Sequence, residues 1–296
     1  MQVENEIVTV ITPTYNRKKY LKRLYNSLCN QTVKNFKWLI VDDGSTDLTK
    51  QQVESFIDEG LLDIIYLEKE NGGKHTALNL GIQYIHSPLT FIVDSDDILT
   101  KNAIELIQKD YEKILSPKYC GLVYLRGYDK AKVIGTKFVK EGYANLNSIR
   151  FKQHISGDKA EVWKTTYLKR YPFPEFEGEK FIGEHLVWCQ LSEKYDMYVK
   201  NDIIYITEYL PNGLTNMGRK LRIQCPLGGM ASSQILTKRG YPIKTRIKNS
   251  ILYTSYGFFA KKKIKEILEY DLYNIFIILM LPFGYLLYRW WKYKYM

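Results

Sequence analysis

FKWLIVDDGSTD, residues 36–47, reads as a buried strand with an abrupt polar stop at its carboxyl end. A largely apolar run ends at Val41, Asp42 and Asp43 follow, Gly44 turns the chain, and Ser45 and Thr46 are capping residues for a helix through Val53, Phe56 and Ile57. The same order recurs on either side. In EIVTVITPTYN, residues 6–16, a β-branched run over 7–11 stops at Pro13. Asn16 is placed to cap a helix in which Tyr20, Leu21, Leu24 and Leu28 recur at helical spacing. IIYLE (64–68) is a third strand, and NGGKHTALNLGI (71–82) is a glycine turn into a short helix. TFIV (90–93) is a fourth strand, and Thr100 is placed to cap a helix over 101–115. Strand and helix alternate with short connections, which predicts an α/β domain with a mostly parallel sheet flanked by helices.

In such a sheet the ligand lies beyond the carboxyl ends of the strands. TPTYN, DDGSTD and DSDD each follow one of those ends, so three polar clusters distant in sequence are expected to converge. The last cluster stands in FIVDSDDILT (91–100), with Asp94, Asp96 and Asp97 within four positions at a strand tip. Like charges so close repel unless positive charge sits among them. A helix dipole accounts for one aspartate at most. A hard cation, Mn²⁺ or Mg²⁺, takes oxygen ligands and shares them with substrate phosphates, so one or two of these carboxylates bridged through metal to a diphosphate would resolve the repulsion. Asp42 and Asp47 suffice for turn and cap roles, whereas Asp43 offers an acceptor to an imide N–H such as that of uracil. Tyr15 offers a ring for a base to stack on, and Lys74 a charge for a phosphate. NGGKHT departs from the G-x-x-x-x-G-K-[ST] phosphate loop, and G-x-G-x-x-G is absent, so neither a P-loop enzyme nor a dinucleotide oxidoreductase is supported.

Composition sets the frame. The 296 residues carry a net charge of +11, with 25 tyrosines, four scattered histidines and four cysteines in no C-x-x-C spacing. No zinc site is expected, and reduced thiols without a signal peptide suit the cytosol. The basic excess grows toward the C-terminus, beside an apolar tail, which favours an anionic membrane surface over nucleic acid. In YNIFIILMLPFGYLLYRWWKYKYM (273–296), Pro282 interrupts the apolar run. From Asp271 to Arg289 the 17 intervening residues are uncharged, the lower limit for spanning a bilayer. Lys261 to Lys265 precede the stretch and Arg289, Lys292 and Lys294 follow it, so the segment is expected to lie on or dip into the membrane rather than cross it. Trp290, Trp291 and Tyr293 suit an interface belt; a helix buried against its own domain or a partner subunit is the other reading. GLVYL, MYVKN and IIYITEY read as strands, and 163–188 as loop plus helix. The expected division is 1–215, with halves 1–105 and 106–215, followed by a basic helical region 216–296. Nothing in the sequence sets an oligomeric state.

The ordered set TPTYN, VDDGSTD, NGGKHTALNLG and FIVDSDD resembles the inverting GT-A glycosyltransferases of family 2, closely over about the first 100 residues. The resemblance implies a nucleotide-diphosphate-sugar donor, most often UDP-linked, and a glycan acceptor, lipid-linked in surface polysaccharide synthesis at the cytoplasmic face of the membrane. Carried over by position, it implies base contacts from Tyr15 and Asp43, and further donor contacts from Pro13, Lys74, Asn79, Asp94 and Ser95. It puts metal at Asp94 and Asp96, with Asp97 as a further candidate ligand. Members commonly have an acidic pair before a helix; here it is Glu184-His185, a departure, and either residue is the candidate base, with Glu177 and Glu179 nearby. PNGLTNMGRKLR (211–222) resembles the family's mobile loop, whose Arg219, Lys220 or Arg222 would meet the diphosphate. Trp163 and Trp188 are core residues or sugar platforms. A nucleotidyltransferase would show a glycine-rich loop after the first strand, which TPTYNR lacks. An inactive binding subunit is suggested only by His185.

Overall fold

A computed structural model describes residues 6–207, 214–269 and 275–296. The chain forms two compact units, Met1–Pro172 with Leu191–Tyr209, and Phe173–Gln190 with Leu210–Met296. The segment 173–190 thus folds with the C-terminal residues.

The first unit opens with β1 (Val8–Thr14), α1 (Lys18–Cys29), β2 (Phe36–Asp42), α2 (Thr49–Asp58), β3 (Asp63–Glu68), α3 (Lys74–Tyr84) and β4 (Leu89–Ile92). It continues through β5 (Ile98–Leu99), α4 (Ala103–Asp110), β6 (Tyr119–Gly127), β7 (Gly142–Ala144), α5 (Leu146–Phe151), β8 (Lys159–Lys164) and α6 (Thr165–Arg170). After α7 (His185–Ser192), which crosses the boundary between the units, β9 (Asp196–Ile206) closes the sheet. The strand order is β3-β2-β1-β4-β8-β6-β9-β5, with β7 also on β9. The β1–β2, β2–β3, β1–β4 and β6–β9 pairs are parallel, while β8 runs antiparallel between β4 and β6.

The four N-terminal strands and their helices lie where the apolar periodicity puts them. Leu21, Leu24, Tyr25 and Leu28 of α1 and Val53 and Phe56 of α2 are buried. The Tyr25 and Phe56 rings stack with centroids 4.1 Å apart, and Trp38 beneath them donates its indole N–H to Thr12 Oγ1 at 2.9 Å. Ile57, expected on the buried face, is exposed. MYVKN and IIYI are one strand, β9, whose register against β6 shifts between Val123 and Leu125. The sequence gives no sign of β8, because KAEVWK carries three charges in six residues, Lys159, Glu161 and Lys164. In the fold the first two are buried and satisfied. Lys159 donates to the Ser156 carbonyl at 2.6 Å, and Glu161 receives Arg150 at 2.9 Å.

The expected helix caps are corrected. Asn16, Ser45 and Thr46 cap no helix; Asn16 has φ 53° and ties two loops together, as described below. Asp47 is what meets the start of α2, accepting from the Thr49 N–H at 3.0 Å. The helix expected over 101–115 starts at Ala103, behind Asn102.

The second unit contains α8 (Leu214–Gln224), α9 (Pro226–Gln234), α10 (Ile243–Phe259), α11 (Ile264–Glu269) and α12 (Ile275–Tyr295). Helix α12 continues through Pro282 and buries Ile277, Gly284 and Trp291, one residue every second turn. Gly284 meets Thr254 of α10, where a Cβ would lie 1.8 Å from its Oγ1; only glycine permits this approach. No described helix is long and apolar enough to cross a membrane. Asp271 and residues 211–213 of the expected mobile loop lie outside the described residues.

Helix α3 packs on the sheet through Gly81, where a Cβ would stand 2.6 Å from Ile11 Cδ1 and 2.7 Å from Val41 Cγ2. Gly81→Val is expected to lower stability by about 1–3 kcal/mol through overpacking. Equilibrium urea unfolding measures this, and an unchanged midpoint would mean that the helix can stand off the sheet at no cost.

Candidate active site

The loops after β1, β2 and β4 are laced together by side chains that face one end of the sheet. Asn16 Oδ1 accepts from the Thr46 N–H at 2.7 Å and the Asp47 N–H at 3.2 Å, and the Asn16 N–H donates to Ser45 Oγ at 2.8 Å. Asp42 closes the turn by accepting from the Ser45 N–H at 2.8 Å and from Tyr66 Oη at 2.7 Å. Tyr15, the first residue after β1, is 46% exposed. Pro13 is buried in β1 opposite Val41.

Asp43 is buried and fully engaged. Its Oδ1 accepts from Lys69 Nζ and the Gly72 N–H, both at 2.9 Å, and its Oδ2 from the Gly73 N–H at 2.7 Å and Asn71 Nδ2 at 3.1 Å. Four donors fill the capacity of one carboxylate. Gly73, at φ 97°, allows the turn to aim successive N–H groups at the same side chain before α3 begins.

Cations from three separate segments gather at the DSDD tip. Lys74 Nζ lies 2.5 Å from Asp94 Oδ1, Arg17 Nη1 3.6 Å from Asp96 Oδ2, and Arg126 Nη1 3.9 Å from a carboxylate oxygen of both Asp94 and Asp97. Arg126 comes from the carboxyl end of β6. Its Nε donates to the Lys159 carbonyl at 2.8 Å, and its guanidinium lies 4.0 Å from the centroid of the Tyr205 ring. The Tyr205 hydroxyl accepts from the Asp94 N–H at 2.9 Å, and Thr207 Oγ1 donates to Asp97 at 3.3 Å.

The three carboxyls respond differently. Burial alone would raise the pKa of Asp94, but Lys74 and Arg126 outweigh it and hold the group below the usual carboxylate range. Burial, reinforced by the Asp94 charge, raises Asp96, and the same two causes push Asp97 up to about 7. Asp94 and Asp96 keep 30% and 20% side-chain exposure, whereas Asp97 keeps 5% and faces Arg126 and Thr207. Among the described residues no group of three or more His, Cys, Asp or Glu side chains is gathered to hold a metal. Two part-exposed carboxylates nonetheless fit a hard cation that draws its remaining ligands from water and substrate phosphates. Ser95 is buried, and Asn79 is half-buried on α3.

The remaining candidates belong to the second unit. Glu184 directly precedes α7, its carbonyl accepting from the Val187 and Trp188 N–H groups at 3.1 and 3.2 Å. His185 Nε2 lies 3.4 Å from the Ser232 carbonyl. Glu179 is committed elsewhere, accepting from the Leu227 and Gly228 N–H groups at 2.6 and 2.7 Å at the start of α9, and Glu177 is exposed. Arg219, Lys220 and Arg222 are exposed on α8, with the Arg219 guanidinium 4.7 Å from the centroid of the Trp291 ring. Trp163 and Trp188 are buried as core residues.

Arg126, Arg17, Lys69 and Tyr205 are not singled out from sequence. One signal was present: Arg126 is the sole charge in the apolar run YCGLVYLRG. An arginine there must meet a counter-charge inside the fold.

The sequence profile described as Glycosyl transferase family 2 matches residues 9–162. Glycosyltransferase GlyA of Streptococcus pneumoniae is 26% identical over 260 residues, covering 83% of this chain and 37% of the relative. The chain spans only 28–40% of the length of the first curated relatives it matches. The structure of TarS 1–349 from Staphylococcus aureus in complex with UDP-GlcNAc aligns with a TM-score of 0.60 at 21% identity, over 88% of this chain and 77% of that one. A mannosyltransferase from Pyrobaculum calidifontis, in complex with GDP-Man and Mn²⁺, aligns with a TM-score of 0.58 at 16% identity, over 96% and 87%. These two likenesses are of fold.

The folded chain holds the Asp97 proton more tightly than the unfolded chain does. This group's contribution to stability is therefore complete below about pH 4 and is lost as the pH rises through about 7. Asp97→Asn is expected to flatten the pH dependence of the unfolding midpoint across that window. A slope that is unchanged in the variant would show that Asp97 is ionised throughout.

Proposed function

The chain belongs to glycosyl transferase family 2, and on that premise we propose that it moves a sugar from a nucleoside-diphosphate donor, a UDP-sugar, to a hydroxyl of a glycan acceptor with inversion. The observation that carries the reading is the shared edge of the sheet, where Tyr15, the Asp43-anchored glycine turn, Lys74 and the Asp94/Asp96 pair follow adjacent strand ends. The part-exposed Tyr15 ring is the stacking surface for the base. Asp43 fixes the Asn71–Gly73 turn, and an imide N–H reaches its carboxylate by displacing Lys69 or Asn71. Lys74, paired with Asp94 in the free chain, would meet the diphosphate.

Asp94 and Asp96 would hold Mn²⁺ or Mg²⁺. The bound ion would supply Lewis-acid neutralisation of the leaving diphosphate. The acceptor oxygen attacks the anomeric carbon in line as the bond to the diphosphate oxygen breaks, and the diphosphate leaves with the electron pair. Glu184 takes the acceptor proton, with His185 as the other candidate, since either type serves as a base once within reach of the hydroxyl. Arg219 and Arg222 would add positive charge to the departing diphosphate. The acceptor is a lipid-linked glycan of surface polysaccharide synthesis, met at the inner face of the membrane. The apolar, basic C-terminal region supports that choice.

The test follows nucleoside diphosphate release from a panel of UDP-, GDP- and dTDP-sugars, with Mn²⁺, Mg²⁺ or chelator. Slow metal-dependent release from one donor is expected, falling by about 100-fold or more in Asp96→Ala. With an acceptor present, Glu184→Ala is expected to lose about 100-fold or more in transfer while still binding donor. Pyrophosphate release from a sugar phosphate and a nucleoside triphosphate would instead identify a nucleotidyltransferase. Calorimetry that finds no nucleotide-sugar binding would sink the reading.

A further inference from the structure

Helix α12 is apolar around its circumference over most of its length, yet it packs on the second unit by one face only. Ile277, Gly284 and Trp291 are buried, while Ile275, Leu279, Phe283, Leu286 and Trp290, recurring every three or four residues, are 51–64% exposed. They form one continuous stripe on the outer side of the helix. An exposed apolar patch of this extent marks an interaction surface. Beside it, α10 and α12 enclose a trough of about 390 Å³ lined by Ile247, Ile251, Leu252 and Leu287, with Lys244 and Lys248 one turn apart along it.

The charge around these features has one sign. Arg289, Lys292 and Lys294 lie at the carboxyl end of α12, and Lys261, Lys262 and Lys263 are exposed before α11. Across residues 210–296 there are fifteen lysines and arginines against three acidic residues. A second copy of this chain would bring the same positive charge against itself. An anionic lipid bilayer answers both features at once: acyl chains cover the stripe and the trough, and phosphates meet the lysines. Trp290 and Tyr293 then sit at headgroup depth, where amphipathic rings are favoured.

We propose that the outer face of α12, with the Lys244/Lys248 trough, docks the chain onto an anionic bilayer, lying in its surface. The proposal deepens the membrane-face reading above but rests on the second unit alone, so it stands or falls independently of the transfer reaction.

The experiment is co-sedimentation of the full chain with phosphatidylcholine vesicles, with and without phosphatidylglycerol, at low and high salt. Binding to the anionic vesicles, weakened by salt, is expected. Trp290 is the exposed tryptophan, the other four being at most 6% exposed, so a blue shift of emission on binding reports its insertion. Leu279→Gln with Leu286→Gln is expected to weaken binding by about tenfold or more, and Lys244→Ser with Lys248→Ser to reduce the preference for phosphatidylglycerol. Donor hydrolysis without vesicles is expected to be the same in both variants, which separates this surface from the active site. Equal binding of wild type and both variants would overturn the proposal, as would no binding at all. So would a dimer in light scattering that dissociates in the Leu279/Leu286 variant, which would assign the stripe to a second copy.

Discussion

Three carboxylates within four residues at the end of β4 impose an electrostatic condition on the fold. Each buried or half-buried charge must find a partner, because an uncompensated one costs several kcal/mol. The partners come from far apart in the chain: Arg17 from the loop after β1, Lys74 from the first turn of α3, and Arg126 from the carboxyl end of β6. Arg126 is the most demanding of them. Burial works against its charge, and Tyr205, Asp94, Glu161 and Asp97 more than compensate, so its pKa rises. The strand order serves this condition, since β8 bridges β4 to β6 and β9 brings Tyr205 and Thr207 beside the same carboxylates.

A second clamp follows the same logic with backbone donors. Asp43 collects Lys69, Asn71 and two glycine N–H groups, so the turn that opens α3 is shaped by a side chain from the end of β2. Asn16 does likewise between the first and second loops. The result is an edge built from mutually restrained loops on a rigid sheet. Such preorganisation limits the rearrangement needed when a charged ligand arrives.

The second unit obeys a different rule. Its helices gain their burial through small residues and aromatic rings, as at Gly284 against Thr254 and Trp291 near Tyr256. That packing satisfies one side of α12 and leaves an apolar side exposed, a division invisible in a tail that is apolar on all sides.

Hydrophobic period and turn residues are local properties. They sufficed to place β1 to β4 with the helices between them, and to bring Tyr15, Asp43, Lys74 and the DSDD tip to one edge. The sequence alone also located Trp163 and Trp188, but only packing decided that both are core. Strand β8 escaped because three charges in six residues mimic a solvated segment. Their partners, the Ser156 carbonyl and Arg150, become visible only once the chain is folded. Asn16, Ser45 and Thr46 have the composition of helix caps, yet tertiary contacts drew them into a loop clasp. The positive charge that the three aspartates require was legible as a need. That Arg17, Lys74 and Arg126 meet it within the chain was decided by tertiary structure, because pairings across 20 to 80 residues leave no local periodicity to read.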